Sequence, residues 1–380
     1  MSKKIALFHP WIKSRGGAER VVLEIIKNSK HKIDLFTWVY DKENTFKEFQ
    51  KYNVKVIAPK IAQKISRMHL LRGLFLPLSI FSKIKLKDYD LFLISTSGVA
   101  EFMTFKNYKK GKTYAYVHTP LREANKKIIN WNLENKYPLG IKRYAYIFAT
   151  KIYKFFEKKA WKKLNVVIFN SNLSLKRAKE SNLKLNSKPH IIYPPINFSR
   201  FENLKLNKGK YFLYWNRLNP PKRQDLLIEA WKNFSKKNPS YKLIIAGTPE
   251  NEKYYKKLQK LQKDTKNVEI KTNVSDKEID SLLANSLASL SLSYSEDFGI
   301  IPLEIIASGK PLLATDEGGY VEIINDHPLF HKIKEKHSKK EMIKEIEKEL
   351  NNFIKKKQKK TQKKIKIKNF VKEIDKILEK

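Results

Sequence analysis

Short apolar runs separated by longer amphipathic ones set the plan of this chain. IALF (Ile5 to Phe8), IDLFTW, NVKVI, LFLIS, TYAYV and NVVIF come first, followed by YFLYW, KLIIAG, SLASLSL and KPLLAT. Runs this short, bounded by turn-forming residues, read as strands. The intervening stretches, such as VVLEIIK and QDLLIEAWK, repeat apolar residues at helical spacing. Strands alternating with helices throughout predict an α/β chain of parallel sheets covered by helices.

The 380 residues are enough for two domains of ordinary size, each with its own core. Prolines end elements, and the stretch after Tyr193-Pro194-Pro195 is polar as far as Lys210, so the change of domain is expected there. The division reads 1–195, then 196–362, with a last helical piece at 363–380. Hydrophobic residues make up 41% of the chain and no low-complexity linker interrupts residues 1–330, as a globular protein requires.

Chemistry concentrates in SYSEDFGIIPLEIIASGKP, where Glu296 and Glu304 flank a loop turning at Gly299. Proline suits the first helical position, so a helix is predicted to start at Pro302. Glu304 then falls in its first turn, where the helix dipole favours an ionised carboxylate. Two carboxylates accept hydrogen bonds and a helix start offers backbone N–H groups, a combination that suits a ligand part sugar and part phosphate. An ordinary acidic pair at a solvent-facing helix start satisfies the same spacing.

Three further segments bear on that choice. Gly16 and Gly17 lie between the strand IALF and the helical VVLEIIK, where glycines let the backbone approach a phosphate. Arg217 and Lys222 lie between YFLYW and an amphipathic helix, at a strand's carboxyl end, where α/β proteins meet anionic ligands. His118 follows the strand TYAYV at another carboxyl end. Taken singly, the cations also read as solvated charges and the histidine as structural.

Taken together, these segments resemble the retaining glycosyltransferases of family 4. The matching pieces are GGAERVVLE, YVHTPLR, IFNSNLSLKRAKE, IIYPPIN, RLNPPKRQDLLIEAW, LIIAG and SEDFGIIPLEIIASGKPLLATDEGGYVEII, from about residue 5 to residue 325. The last reproduces the family's Glu-x7-Glu signature with Phe-Gly between the glutamates. HTPLR and EDFGIIPLE look most like the mannosyltransferase-like branch, which includes enzymes extending lipid-linked oligosaccharides.

The resemblance implies the GT-B fold: two Rossmann-like doubly wound domains facing across a cleft, the first binding acceptor and the second a nucleotide-sugar donor. It implies that Arg217 and Lys222 hold the donor diphosphate, Glu304 the ribose hydroxyls and Glu296 the donor sugar. Phe298, Gly299 and Ile300 match the loop whose backbone faces sugar and phosphate. Gly16 and Gly17 match the loop closing over the diphosphate, and His118 the histidine near the transferred sugar. Asp297 and Asn216 stand where relatives often carry glycine; neither change removes a charged group. The implied reaction moves a hexose, mannose favoured, from a GDP- or UDP-linked donor to a lipid-linked or glycan acceptor with retention of configuration. A GT-B-fold nucleotide-sugar epimerase would share the donor grip but not the transfer. A non-enzymatic basic protein bound to nucleic acid or membrane would leave the two cations and two glutamates without a reason to coincide.

No metal or other cofactor is expected. Asp88-Tyr-Asp90 has the spacing of a metal-holding motif, but it precedes LFLIS, the entry end of a strand, and reads as a turn. The eight histidines lack zinc spacing and there is no cysteine.

Charge adds a partner. Lysine and arginine total 79 against 38 acidic residues, a formal charge of +41, yet only ten are arginine. No nucleic-acid-binding motif is visible, so specific nucleic-acid binding is not expected; weak salt-sensitive sticking is. An anionic membrane surface fits better. Residues 60–86 mix Leu70, Leu74, Phe75, Ile80 and Phe81 with Lys64, Arg67, Arg72, Lys83 and Lys85, over uncharged runs too short to span a bilayer. The basic, aromatic stretch Lys142 to Lys163 either joins that surface or packs on its own sheet.

The amino-terminal residues lack the hydrophobic region and cleavage site of an export signal. The expected location is therefore cytoplasmic, peripheral on the cytoplasmic face of the membrane. From His331 onward there are nineteen lysines against eight acidic residues, with two helical patterns joined by KKKQKKTQKK. In the family the last helix crosses back to the N-terminal domain, and NFVKEIDKILEK looks like that element.

Overall fold

A computed structural model describes residues 2–67, 80–121, 125–202, 204–356 and 363–380. The chain folds as two units, Met1–Pro195 with Ile367–Lys380, and Ile196–Lys366.

The first unit carries a sheet built from β1 (Lys4–Phe8), β3 (Lys32–Thr37), β5 (Val54–Val56), β6 (Leu91–Thr96), β7 (Thr113–Val117), β8 (Val166–Phe169) and β9 (His190–Ile191). A separate small parallel pair joins β2 (Trp11–Ile12) to β4 (Val39–Tyr40). The main sheet runs in the order β5-β3-β1-β6-β7-β8-β9, and its strands pair in parallel. Alternate residues of β1 serve opposite faces, with Ile5 and Leu7 in one buried cluster and Ala6 and Phe8 in the other. Burial on both faces is why these strands read as unbroken apolar runs.

One face is closed by the last helix, Phe370–Leu378, whose Phe370, Ile374, Ile377 and Leu378 share a cluster with Val21, Val22 and Ile25. Asp375 fixes its end: Oδ1 accepts from Ser29 Oγ at 2.6 Å and Oδ2 from the Lys30 N–H at 3.0 Å. The final helix thus packs on the first unit.

The second unit contains β10 (Tyr211–Trp215), β11 (Lys242–Ala246), β12 (Val268–Lys271), β13 (Ala288–Ser291), β14 (Leu312–Thr315) and β15 (Phe330–Ile333). All pair in parallel in the order β12-β11-β10-β13-β14-β15. Counted within the unit, the first strand lies beside both the second and the fourth. That is the doubly wound arrangement, and its topological switch point lies between β10 and β13. Phe212, Tyr214, Leu227, Trp231, Phe234, Ile245 and Phe353 form the core of one face.

Candidate active site

Two loops at the switch point of the second unit hold five of the ten residues singled out in the sequence. One leaves β10 and carries Arg217 and Lys222; the other leaves β13 and carries Glu296, Phe298 and Gly299. Carboxyl ends of strands that diverge leave a crevice in which ligands bind. Tyr214, wholly buried on β10, ties the loops together: its hydroxyl donates to the Lys222 carbonyl at 2.5 Å and accepts from the Leu292 N–H at 3.2 Å. The Tyr294 N–H also donates to the Pro221 carbonyl at 2.7 Å. Burial pushes the Tyr214 phenol well above its ordinary pKa, so it stays a donor.

This bracing brings Lys222 Nζ to 2.5 Å from Glu296 Oε2, with both side chains largely shielded from water. An ammonium has three donors, so Lys222 can hold Glu296 and a phosphate oxygen together. Arg217 behaves differently. Its Nη1 lies 2.6 Å from Glu250 Oε1 and its side chain is 50% exposed. Asn219 Nδ2 donates to the other Glu250 oxygen at 2.6 Å, and Gln224 Nε2 donates to the Arg217 carbonyl at 2.9 Å. Glu250 therefore aligns this loop from the end of β11, a role that neither periodicity nor spacing marks.

Arg223, next to Lys222, is a structural cation. It grips Glu335 with two bonds of 2.8 and 2.7 Å and lies 4.5 Å from the Tyr294 ring centre. Its backbone is left-handed at φ 57°, as is that of Ser295 at φ 54°. Such strain in non-glycine residues collects where a loop must aim side chains.

The helix after the second loop departs from expectation. It spans Ile300–Ala307, with Gly299 as N-cap at φ 88°, so Pro302 is its third residue and not its first. Proline is tolerated there because the first four N–H groups of a helix have no intrahelical acceptor. Glu304 consequently lies in the second turn, 1% exposed, and not in the first. Its charge, with those of Asp276 and Asp280, favours the protonated form of the Arg200 guanidinium. Arg200 is held 2.9 Å from Asp280 Oδ1 and 5.7 Å from the Trp215 ring centre, and no local pattern in the sequence marks it. A Cβ on Gly299 would lie 2.6 Å from Tyr320 Cδ1, so glycine is demanded by contact as well as by dihedral. The Tyr320 N–H donates to the Phe298 carbonyl at 2.6 Å and locks the turn.

The remaining candidates belong to the first unit. Gly16 caps the helix Gly17–Asn28 with extended backbone; a Cβ there would meet Glu19 Oε2 at 2.4 Å. Glu19 also accepts from Ser14 Oγ at 2.7 Å, so a carboxylate already sits against this glycine pair. His118 is buried directly after β7, its N–H donating to the Thr96 carbonyl at 2.9 Å. Its Nε2 lies 2.8 Å from Ser95 Oγ, which is 3.0 Å from His9 Nδ1. Burial pushes His118 well below the ordinary histidine pKa and His9 down to about 4, so both rings are neutral near pH 7. His9 carries no sequence signal beyond its place after a strand.

Asp88 and Asp90 lie at the amino end of β6, where Asp90 Oδ2 accepts from the Lys4 N–H at 2.7 Å. In the segment 60–86, residues 68–79 lie outside the described residues, as do Arg122 and the stretch 357–362.

A doubly wound sheet with paired cations and carboxylates at its switch point defines a class of proteins that bind anionic nucleotide ligands. Comparison narrows the class. The family "Glycosyl transferases group 1" matches residues 195–374. The alpha-1,3/1,6-mannosyltransferase ALG2 of Kluyveromyces lactis is 26% identical, over 86% of this chain and 72% of its own length. The human GDP-Man:Man(3)GlcNAc(2)-PP-Dol alpha-1,2-mannosyltransferase is 23% identical, over 83% and 73%. Among solved structures, Anabaena Alr3699/HepE in complex with UDP and glucose superposes with a TM-score of 0.65 at 16% identity, over 99% of this chain and 94% of that one. WaaG, a glycosyltransferase involved in lipopolysaccharide biosynthesis, gives 0.62 at 18%, over 91% and 90%. The fold is that of the GT-B glycosyltransferases, and the second unit carries the match to their family.

Proposed function

We propose that this protein transfers mannose from GDP-mannose to a lipid-linked glycan with retention of anomeric configuration. The carrying observation is the pairing of Lys222 with Glu296 at 2.5 Å across the two switch-point loops. The donor specificity follows the relatives, one of whose names specifies GDP-Man.

Breaking a glycosyl–phosphate bond builds negative charge on the departing diphosphate. Preorganised cations aimed at that charge are usually the largest catalytic contribution. Arg217 supplies a planar fork matched to phosphate oxygens and Lys222 a compact charge. Glu296, held by Lys222, accepts from hydroxyls of the transferred sugar. Glu304, in the second turn of the helix that follows the Glu296 loop, accepts from ribose hydroxyls. The turn at Phe298, Gly299 and Ile300 directs backbone N–H groups from the helix start toward sugar and phosphate. In the first unit, Gly16 and Gly17 serve the diphosphate and His118 the sugar.

The acceptor's lipid calls for a membrane surface, on the cytoplasmic face where nucleotide sugars are made. The helix Ile141–Trp161 supports this partner: Ile141, Tyr144, Phe148 and Phe155 are 84%, 72%, 65% and 54% exposed. With Ile152, itself exposed, they recur at three- and four-residue steps, among Lys142, Arg143, Lys151, Lys154, Lys158 and Lys159. A basic, apolar helix face suits anionic lipid. At the described ends of the segment 60–86, Ile61 and Phe81 are also exposed. Among the described residues no helix is long and apolar enough to cross a membrane.

Incubation of the purified protein with GDP-mannose, or with UDP-sugars, and a polyprenyl-diphosphate-linked glycan tests the reading. Mannosylated product with an α linkage is expected from GDP-mannose. Transfer from a UDP-sugar alone would overturn the donor assignment.

A further inference from the structure

Three side chains at the carboxyl ends of three adjoining strands of the first unit form one hydrogen-bonded row. His9 directly follows β1, Ser95 lies in the last turn of pleat of β6, and His118 directly follows β7; β1, β6 and β7 are neighbours in the sheet. His9 Nδ1 and His118 Nε2 lie 3.0 and 2.8 Å from the same Ser95 Oγ. The rings stand nearly perpendicular, at 79°, with centroids 6.1 Å apart. All three residues are buried. Backbone bonds fix the peptide on both sides of His118, its N–H to Thr96 and its carbonyl to Asn170 Nδ2 at 2.7 Å.

A serine hydroxyl has one proton, and a neutral imidazole has one N–H and one lone pair. Among the described residues the two rings are the hydrogen-bond partners of Ser95 Oγ, so the hydroxyl places its one proton by donating to one ring while it accepts from the other. The protonated nitrogen of His9 consequently dictates the protonated nitrogen of His118. Because Nε2 of His118 is committed to Ser95, Nδ1 is the nitrogen left for another partner. Both rings are kept neutral by burial, so the row keeps its alternation near pH 7.

We infer that Ser95 and His9 are positioning residues for sugar transfer, holding His118 in one tautomer and orientation so that Nδ1 meets the substrate with a fixed hydrogen-bonding character. This rests on the placement of His118 beside the transferred sugar proposed above. Neither residue touches the substrate. Their effect passes through the imidazole of His118.

The test uses the full chain with Ser95→Ala, Ser95→Thr and His9→Gln. Nitrogen-15 NMR of the histidine rings, without any substrate, reads the tautomer of His118. One tautomer is expected in the parent and in Ser95→Thr, and a mixture or the opposite tautomer in Ser95→Ala. With GDP-mannose and a polyprenyl-diphosphate-linked glycan, Ser95→Ala should lower kcat roughly ten-fold, the size of one lost hydrogen bond, with donor KM little changed. Ser95→Thr should restore most of it. An unchanged His118 tautomer in both Ser95→Ala and His9→Gln overturns the inference, whatever the activity. A changed tautomer with parental kcat removes the catalytic consequence. Absence of mannosyl transfer in the parent would count against the donor reading alone, because the NMR arm needs no substrate.

Discussion

Lys222 and Glu296 stand 74 positions apart in the chain and 2.5 Å apart in the fold. Each shields the other's charge in a spot with little access to water, so their contributions should not add. Lys222→Ala leaves a carboxylate largely buried beside no ammonium, and truncating one partner of such a pair is costlier than removing both. In denaturant unfolding, the double variant Lys222→Ala/Glu296→Gln should therefore be more stable than Lys222→Ala by about 1–3 kcal/mol. Strict additivity would show that the pair does not support the loops. Turnover in Lys222→Ala should fall about a hundred- to a thousand-fold.

Arg217 offers the opposite balance. Its ion pair with Glu250 is half exposed, and pairs of that kind contribute about 0–1 kcal/mol. Arg217→Ala should accordingly melt within a few degrees of the parent while its turnover at saturating donor drops about a hundred- to a thousand-fold. Parental turnover would remove Arg217 from the site. Glu250→Gln should lower turnover less, since it only loosens the alignment of the guanidinium.

The buried histidines make a pH prediction whose sign is fixed. His9 has a folded pKa of about 4 against 6.5 in the unfolded chain, and His118 also shifts downward, both chiefly through burial. Between those values the unfolded state binds more protons, so stability declines as pH falls from 6.5 toward 4. For His9 the full loss is about 3 kcal/mol. Melting temperatures measured from pH 7 to pH 4.5 should drop, and His9→Gln should flatten the slope. A slope identical to the parent's would mean that His9 is not kept neutral.

The exposed stripe on the helix Ile141–Trp161 predicts salt-sensitive attachment. Replacing Tyr144, Phe148 and Phe155 with serine should reduce flotation with phosphatidylglycerol vesicles several-fold and leave transfer to a short-chain, detergent-dispersed acceptor intact. Equal flotation of parent and variant would reject this face as the contact.

Much of this architecture is legible in the amino-acid sequence. Apolar runs such as LFLIS and KLIIAG became parallel strands because strands covered on both faces need no polar side. The helical spacing of Phe370, Ile374 and Leu378 likewise announced a helix with a buried face. The helix Ile300–Ala307 starts two residues before Pro302, the position that proline's preference for N1 indicates, because the left-handed turn at Gly299 begins it earlier. Arg200, Glu250 and His9 gave no local signal: a charged or imidazole side chain obeys no periodicity that distinguishes a site from a surface.

The linear chain determined the alternation of strand and helix, the place where the prolines divide it, and the kinds of groups available at the strand ends. Residue identity and spacing suffice for these because they depend on local backbone preference and on which faces exclude water. Tertiary structure alone decided which groups meet. The order β12-β11-β10-β13-β14-β15 sets the β10 loop between those of β13 and β11, and so pairs Lys222 with Glu296 on one side and Arg217 with Glu250 on the other. The adjacency of β1, β6 and β7 joins His9, Ser95 and His118. Strand adjacency arises from packing across long stretches of chain, and hydrogen-bond partners from distances of a few ångström, neither of which is written in the spacing of residues along the backbone.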